Sequence, residues 1–279
     1  MNMPTKRLAG RILLYLAVLI VMLIVLFPFY WMAISGFKSP DALFQTPPML
    51  VPIPWSTEFY QRVLKAQSFF RLALNSLIVA LSATGLSVFF ATLGAYSITR
   101  FRYLGRDLVA QLVLFVYMFP AILLVIPLFF IFRSLHLVDT YLGLILAETT
   151  FALPFCLWLL IAFFRTIPEE IESAALVDGC ERLNVLWRIV VPLAAPGLAA
   201  AAVFSFISAW NDYLFPLVLI NSDSLKTLPL GVANYVTAES THWGEAMAAA
   251  TVLSLPVVIF ASLVQKNLVS GLTAGAVKG

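Results

Sequence analysis

The sequence predicts an all-α integral membrane protein with six transmembrane helices and an ordered cytoplasmic loop between the fourth and fifth. Three observations carry this. Hydrophobic residues make up 62% of the chain and charged residues 11%, where soluble globular proteins hold roughly 45–50% and about 25%. Six apolar runs, at 12–34, 73–97, 109–132, 141–164, 196–220 and 246–268, are each long enough for a hydrocarbon core that takes roughly 20 helical residues to cross. Lysine and arginine are unevenly divided between the two sets of connecting segments, as expected when cytoplasmic loops carry the excess positive charge.

The first run follows Lys6, Arg7 and Arg11, and its apolar stretch exceeds the roughly 7–15 residues of a secretory signal core. It reads as a retained helix; the competing reading, cleavage near Ala33 to Gly36, leaves five spans. A long external segment follows, and the second run ends at Arg100, Arg102 and Arg106. Prolines 120, 127, 154, 216 and 256 interrupt the later runs, freeing backbone carbonyls and permitting kinks. Eleven basic residues lie on the side of the termini and six on the other, which puts both termini in the cytoplasm. One transmembrane domain is expected over 1–279.

Several chemistries are excluded. None of the thirteen glycines is followed by lysine, so no phosphate-cradling loop ending in Gly-Lys-Ser or Gly-Lys-Thr is present. His136 and His242 stand singly in different external loops, without the clustered ligands a metal site needs. Gly-x-Ser-x-Gly is absent. No basic cluster is dense enough for nucleic acid. Cys156 falls in the fourth span and Cys180 in a cytoplasmic loop, so no bridge between them is expected. A transporter, a channel or a scaffold remains.

The loop 165–193 reads RTIPEEIESAALVDGCERLNVLWRIVVPL. Pro168 suits a first helical turn, with Glu169, Glu170 and Glu172 near the positive end of the helix dipole. Ile171, Ala174, Ala175 and Leu176 form an apolar stripe at helical spacing. Asp178-Gly179 then breaks the helix, since glycine takes positive φ without strain. A second short helix carries Leu183, Leu186, Trp187 and Ile189 before Pro192 and Pro196. The hairpin suits either a groove on a partner protein or a bed of lipid headgroups.

Polar residues inside spans are functional candidates, here Glu148 in the fourth and Asn211 and Asp212 in the fifth, with Trp210 and Tyr213 beside them. Lining a translocation pathway competes with plainer roles: Glu148 reaching the headgroup region, and Asn211-Asp212 hydrogen-bonding between helices.

At Ala174, Ala175, Gly179, Ile189 and Pro192 the loop resembles that of the permease subunits of ATP-binding-cassette importers, whose hallmark is Glu-Ala-Ala, three residues, Gly, and a later Ile-x-Leu-Pro. The departures are Ser173 at the glutamate position, with Glu172 just before it, and Val191 for the leucine. FKSPDALFQTPP, NSLIVAL, AYSITRFRYLGRD, AWNDYLFPLVLI and GLTAGAVKG extend the resemblance to the carbohydrate branch, and to the shorter second membrane subunit of maltose-type systems. The resemblance implies a sugar importer of the bacterial inner membrane. It makes 165–193 a coupling loop, with Glu169, Glu170, Glu172, Ser173, Ala174, Ala175, Asp178 and Gly179 acting on an ATPase. It further implies a second permease subunit, two ATPase subunits that hold ATP and Mg, an extracytoplasmic sugar-binding protein, surrounding membrane lipid, and no catalytic site or cofactor in this chain. The tail Gly271 to Gly279 is then a candidate ATPase contact, the alternative being a frayed, unbound tail. The external loop from about Asn221 to Trp243 faces the binding protein, with Tyr235, Thr237 and His242 as candidate contacts and a plain solvent-exposed role as the alternative for each. The alternative is a secondary transporter or channel working without an ATPase.

Overall fold

The computed structural model describes residues 3–66, 68–235 and 242–276, and among them the regular structure is helical throughout. In chain order the helices are α1 (Met3–Ser35), α2 (Pro40–Leu43), α3 (Glu58–Lys65), α4 (Phe69–Arg100), α5 (Arg106–Tyr117), α6 (Ala121–Ser134), α7 (Tyr141–Arg165), α8 (Glu169–Val177), α9 (Arg182–Leu193, π-helical over Leu186–Val190), α10 (Ala195–Asn211), α11 (Leu214–Leu219), α12 (Leu228–Ala233) and α13 (Trp243–Ala276).

Four of these are long and apolar enough to cross a membrane: Gly10–Ser35 within α1, all of α4 and α7, and Trp243–Gln265 within α13. Two bent helix pairs reach that length and apolarity only if each is counted as one broken span. α5 and α6 meet at 101° and α9 and α10 at 80°. The third expected span, 109–132, is therefore not one straight helix. Pro120 has no N–H to continue the ladder and pushes the preceding residue out of helical geometry. The fifth, 196–220, is likewise interrupted: Asp212 is extended at φ −68°, ψ 134°, and α11 carries the chain onward.

The contacts group the chain into two compact units. One takes Met1–Phe69 and Val232–Ser254. In it α1 has mean hydropathy 3.1 over its span, and no residue of its most apolar window is buried by the rest of the chain; a helix apolar all round suits lipid or the helices of a membrane partner. The Tyr60 hydroxyl donates to the Ala33 carbonyl at 3.0 Å. Arg62 donates to Glu245 at 2.9 Å and also pairs with Glu58. Lys38 is buried, with Nζ 3.9 Å from the centroid of the Trp31 ring, where the ring quadrupole attracts the ammonium.

The other unit takes Phe70–Gly231 and Leu255–Gly279. Its main core draws Ala91, Ala95 and Tyr96 from α4, Cys156, Leu160 and Phe164 from α7, and Ala201 from α10. Small residues let the helices approach closely: a Cβ added at Gly197 would stand 2.5 Å from the Phe163 ring. Cys156 is buried, with Sγ 3.5 Å from the Ala201 carbonyl, whereas Cys180 is exposed.

The turn between α6 and α7 is fastened by Asp139, which sits at φ 60°, a conformation aspartate tolerates better than most residues. Its carboxylate accepts from the Asn221 N–H at 3.0 Å, the Ser222 N–H at 2.9 Å and the Ser222 hydroxyl. These donors, the Ser222 hydroxyl first, hold its pKa below the ordinary 3.8. A depressed carboxylate contributes stability above its unfolded value and loses it as pH falls through the folded one. Hydrogen exchange at the Asn221 and Ser222 amides should therefore stay slow at pH 5 and accelerate only below about pH 4. Protection unchanged down to about pH 2 would contradict this linkage.

Candidate functional site: the 165–193 loop and the broken fifth span

α8 begins at Glu169, with Pro168 just outside it at φ −59°, ψ 133°, one residue earlier than the first-turn position expected from sequence. The helix ends in a Schellman motif: the Cys180 N–H donates to the Ala175 carbonyl at 3.0 Å and the Gly179 N–H to that of Leu176 at 3.1 Å. This geometry holds Gly179 at φ 89°. A Cβ there would meet nothing within 4 Å, so only the backbone conformation selects glycine.

The expected apolar stripe divides between two faces. Ala175 and Leu176 turn inward onto the core shared by α4, α7 and α10, and Val185, Leu186 and Val190 of α9 join them. Ile171, Ser173 and Ala174 face out, and so do Val177 (87% exposed), Asp178 and Leu183 (63% exposed). The loop is thus built into the membrane unit on one side and offers a bare, partly apolar face on the other. Glu169 and Glu170 are exposed beside that face. Trp187, expected on the second short helix, lies on α9, is exposed and stacks on Phe89 at 6.0 Å between ring centroids.

Glu172 points inward. Its carboxylate pairs with Arg100 Nε at 2.5 Å, and both side chains are 6% exposed. Arg100 Nη2 also donates to the Phe164 and Ile167 carbonyls at 3.0 Å each, just where α7 ends. One guanidinium thereby ties the end of α4 to the end of α7 and to the first turn of α8. Sequence reasoning missed Arg100, counting it only as loop charge. The signal available was its position at the close of α4, within AYSITRFRYLGRD.

In the membrane region, Glu148 of α7 is 4% exposed and stands within hydrogen-bonding reach of Asp212, with its Oε1 buried and unpartnered among the described residues. Asp212 also accepts from the Phe215 N–H at 2.9 Å, at the break between α10 and α11. Trp210 is buried and stacked on Phe206, while Asn211 is exposed and donates to its own helix at Ile207. The structure brings Glu148 and Asp212 together and leaves Asn211 outside the pair. A glutamine amide can still donate to Asp212, so Glu148→Gln should unfold near the wild-type temperature. Glu148→Leu removes the partner of a half-buried carboxyl and is expected to cost about 1–3 kcal/mol. Thermal unfolding in detergent distinguishes the two, and equal losses would contradict the pairing.

Residues 83–274 match the family model described as binding-protein-dependent transport system inner membrane component. The chain belongs to that family. This transport-system component is 41% identical to the inner membrane ABC transporter permease protein YcjP of Escherichia coli, over 98% of this chain and 99% of that protein. It is 37% identical to the trehalose/maltose transport system permease protein MalG of Thermococcus litoralis, over 96% and 97%. Among solved structures it resembles a chain of a bacterial ABC transporter involved in the import of alginate, with a TM-score of 0.80, 26% identity, and 95% and 98% of the two chains covered. The family match takes in α8, α9, α10 and the Glu148–Asp212 pair. Of the external residues expected to face a binding protein, Tyr235 and His242 are joined by a hydrogen bond from the His242 N–H to the Tyr235 carbonyl at 2.9 Å. Thr237 lies outside the described residues, as do residues 277–279 of the carboxyl tail; α13 runs to Ala276.

Proposed function

We propose that this chain is one of two membrane subunits of an ATP-driven importer for a sugar or oligosaccharide, the counterpart of the shorter subunit in maltose-type systems. It forms one transmembrane permease domain over 1–279 with both termini in the cytoplasm. Two ATPase subunits hold the ATP and Mg and carry out hydrolysis, and an extracytoplasmic binding protein delivers the sugar. The relatives named for trehalose/maltose transport and for alginate import support the substrate class.

The observation that carries the mechanism is the two-sided loop. Its inner face shares a core with α4, α7 and α10, and its outer face, from Glu169 to Leu183, is open. A partner that presses on Ile171, Ala174, Val177 and Asp178 displaces a rigid body, because Arg100 and Glu172 bind the loop to two spans. Nucleotide-driven closure of the ATPases is passed to the membrane helices along that route. Glu169, Glu170, Ser173 and Gly179 complete the contact, and Ala175 supports it from beneath. Glu148, Asp212, Trp210 and Asn211 are assigned to the translocation pathway, where the broken fifth span supplies a hinge.

Gentle-detergent purification of the tagged chain from native membranes, with mass spectrometry of what accompanies it, tests this. A second permease and an ATPase should co-purify in near-stoichiometric amounts. Purification of the chain alone, still able to move solute without ATP, would establish the secondary-transporter reading instead.

A further inference from the structure

A cavity of about 360 Å³ opens between α5 and α7, at the end of both helices that carries Arg106 and Arg165. It is within the range of small-molecule sites, roughly 300–1,000 Å³. Asp107, from the first turn of α5, and Arg165, from the last turn of α7, both line it without pairing with each other. Among the described residues Asp107 pairs only with Arg106, at 3.7 Å. Neither the Arg165 guanidinium nor the Gln111 amide has a hydrogen-bond or ionic partner among the described residues. Deeper along the same walls stand Leu114, Ile161 and Trp158, the last 47% exposed. Trp158 is two helical turns from Arg165, about 10 Å along the axis.

We propose that this cavity holds the headgroup of an aminophospholipid, with its phosphate on Arg165 and Gln111 and its primary ammonium on Asp107. Opposite charges that share a cavity without pairing match a zwitterion, and a guanidinium is well suited to a phosphate. The gradient from charged mouth to apolar interior, with an indole at the depth where headgroup gives way to acyl chain, follows the polarity of a phospholipid. A sugar would set hydroxyls against Leu114 and Ile161. A purely anionic headgroup would meet Asp107, and a choline headgroup has no N–H to give it. The site depends on α7 and the α5–α6 pair lying in the membrane and not on which subunits the chain assembles with. In the proposed orientation it opens to the cytoplasmic leaflet.

The test is native mass spectrometry of the complex purified from native membranes, stripped of lipid and presented in turn with phosphatidylethanolamine, phosphatidylcholine and phosphatidylglycerol. Phosphatidylethanolamine should be retained about tenfold over the other two, the equivalent of one charge-assisted hydrogen bond. Arg165→Gln should lower retention of all three, and Asp107→Asn should abolish the preference for the primary amine. Equal retention of the three lipids, or a preference unchanged in both variants, overturns the proposal. So does a cysteine at Ala162 that cross-links to another subunit, which would mean protein fills the cavity. If a variant fails to assemble, the wild-type ranking of headgroups decides alone.

Discussion

Gly179→Asp is expected to abolish ATP-driven uptake while the chain remains inserted and folded. At φ 89° a residue with a Cβ is strained by about 1–2 kcal/mol, too little to unfold a domain with several kcal/mol in hand. No atom lies within 4 Å of the added Cβ, so the core beneath is not disturbed. The Schellman bonds at Gly179 and Cys180 set the angle at which α8 leaves the exposed face, and a shift there spoils the fit to the ATPase. Gly179→Asn is the informative companion, since asparagine and aspartate both enter the left-handed region more readily than most residues and only aspartate adds a charge beside Asp178. Uptake should fall in the order glycine, asparagine, aspartate, with the aspartate variant at background. Membrane levels and unfolding temperature should change little. Normal uptake by Gly179→Asp would remove this residue from the coupling path.

The second large effect is expected at Arg100. Arg100→Met strands the Glu172 carboxylate and unties the Phe164 and Ile167 carbonyls. Breaking a buried pair by removing one partner costs about 3–5 kcal/mol, so the loop should detach from α4 and α7. Uptake should be lost, and the amides of α8 should exchange faster. Glu172→Leu alone is expected to be similarly damaging, because the guanidinium is then the unpaired charge. The double variant should recover part of the lost stability, with a coupling between the two changes of about 0.5–3 kcal/mol. Additive losses would mean that the pair does not bear on the loop.

Much of this was legible in the sequence. Apolar length alone locates α1, α4, α7 and α13, because a membrane span must satisfy its backbone internally and so must be helical. The loop hairpin followed from Pro168, Asp178 and Gly179, residues whose backbone preferences are local. What spacing does not reveal is direction. Glu172 and Ser173 are neighbours in sequence, yet one is buried on Arg100 and the other faces outward. Glu172 and Arg100 are 72 residues apart, and only the packing of α4 against α7 brings them together. The same holds for Glu148 and Asp212, each noted as a polar residue in a span and neither assigned to the other. Pro120 marked an interruption, but not a turn of 101° between α5 and α6.

The central claim, that this chain moves a sugar only as part of an ATP-driven assembly, is tested most directly by uptake into proteoliposomes. The complex purified from native membranes would be reconstituted with its binding protein outside and ATP inside, and labelled sugar followed across the membrane. Uptake that requires both ATP and binding protein, and that disappears with Gly179→Asp, is the predicted result. Uptake by this chain alone, driven by an ion gradient and indifferent to nucleotide, would contradict the account.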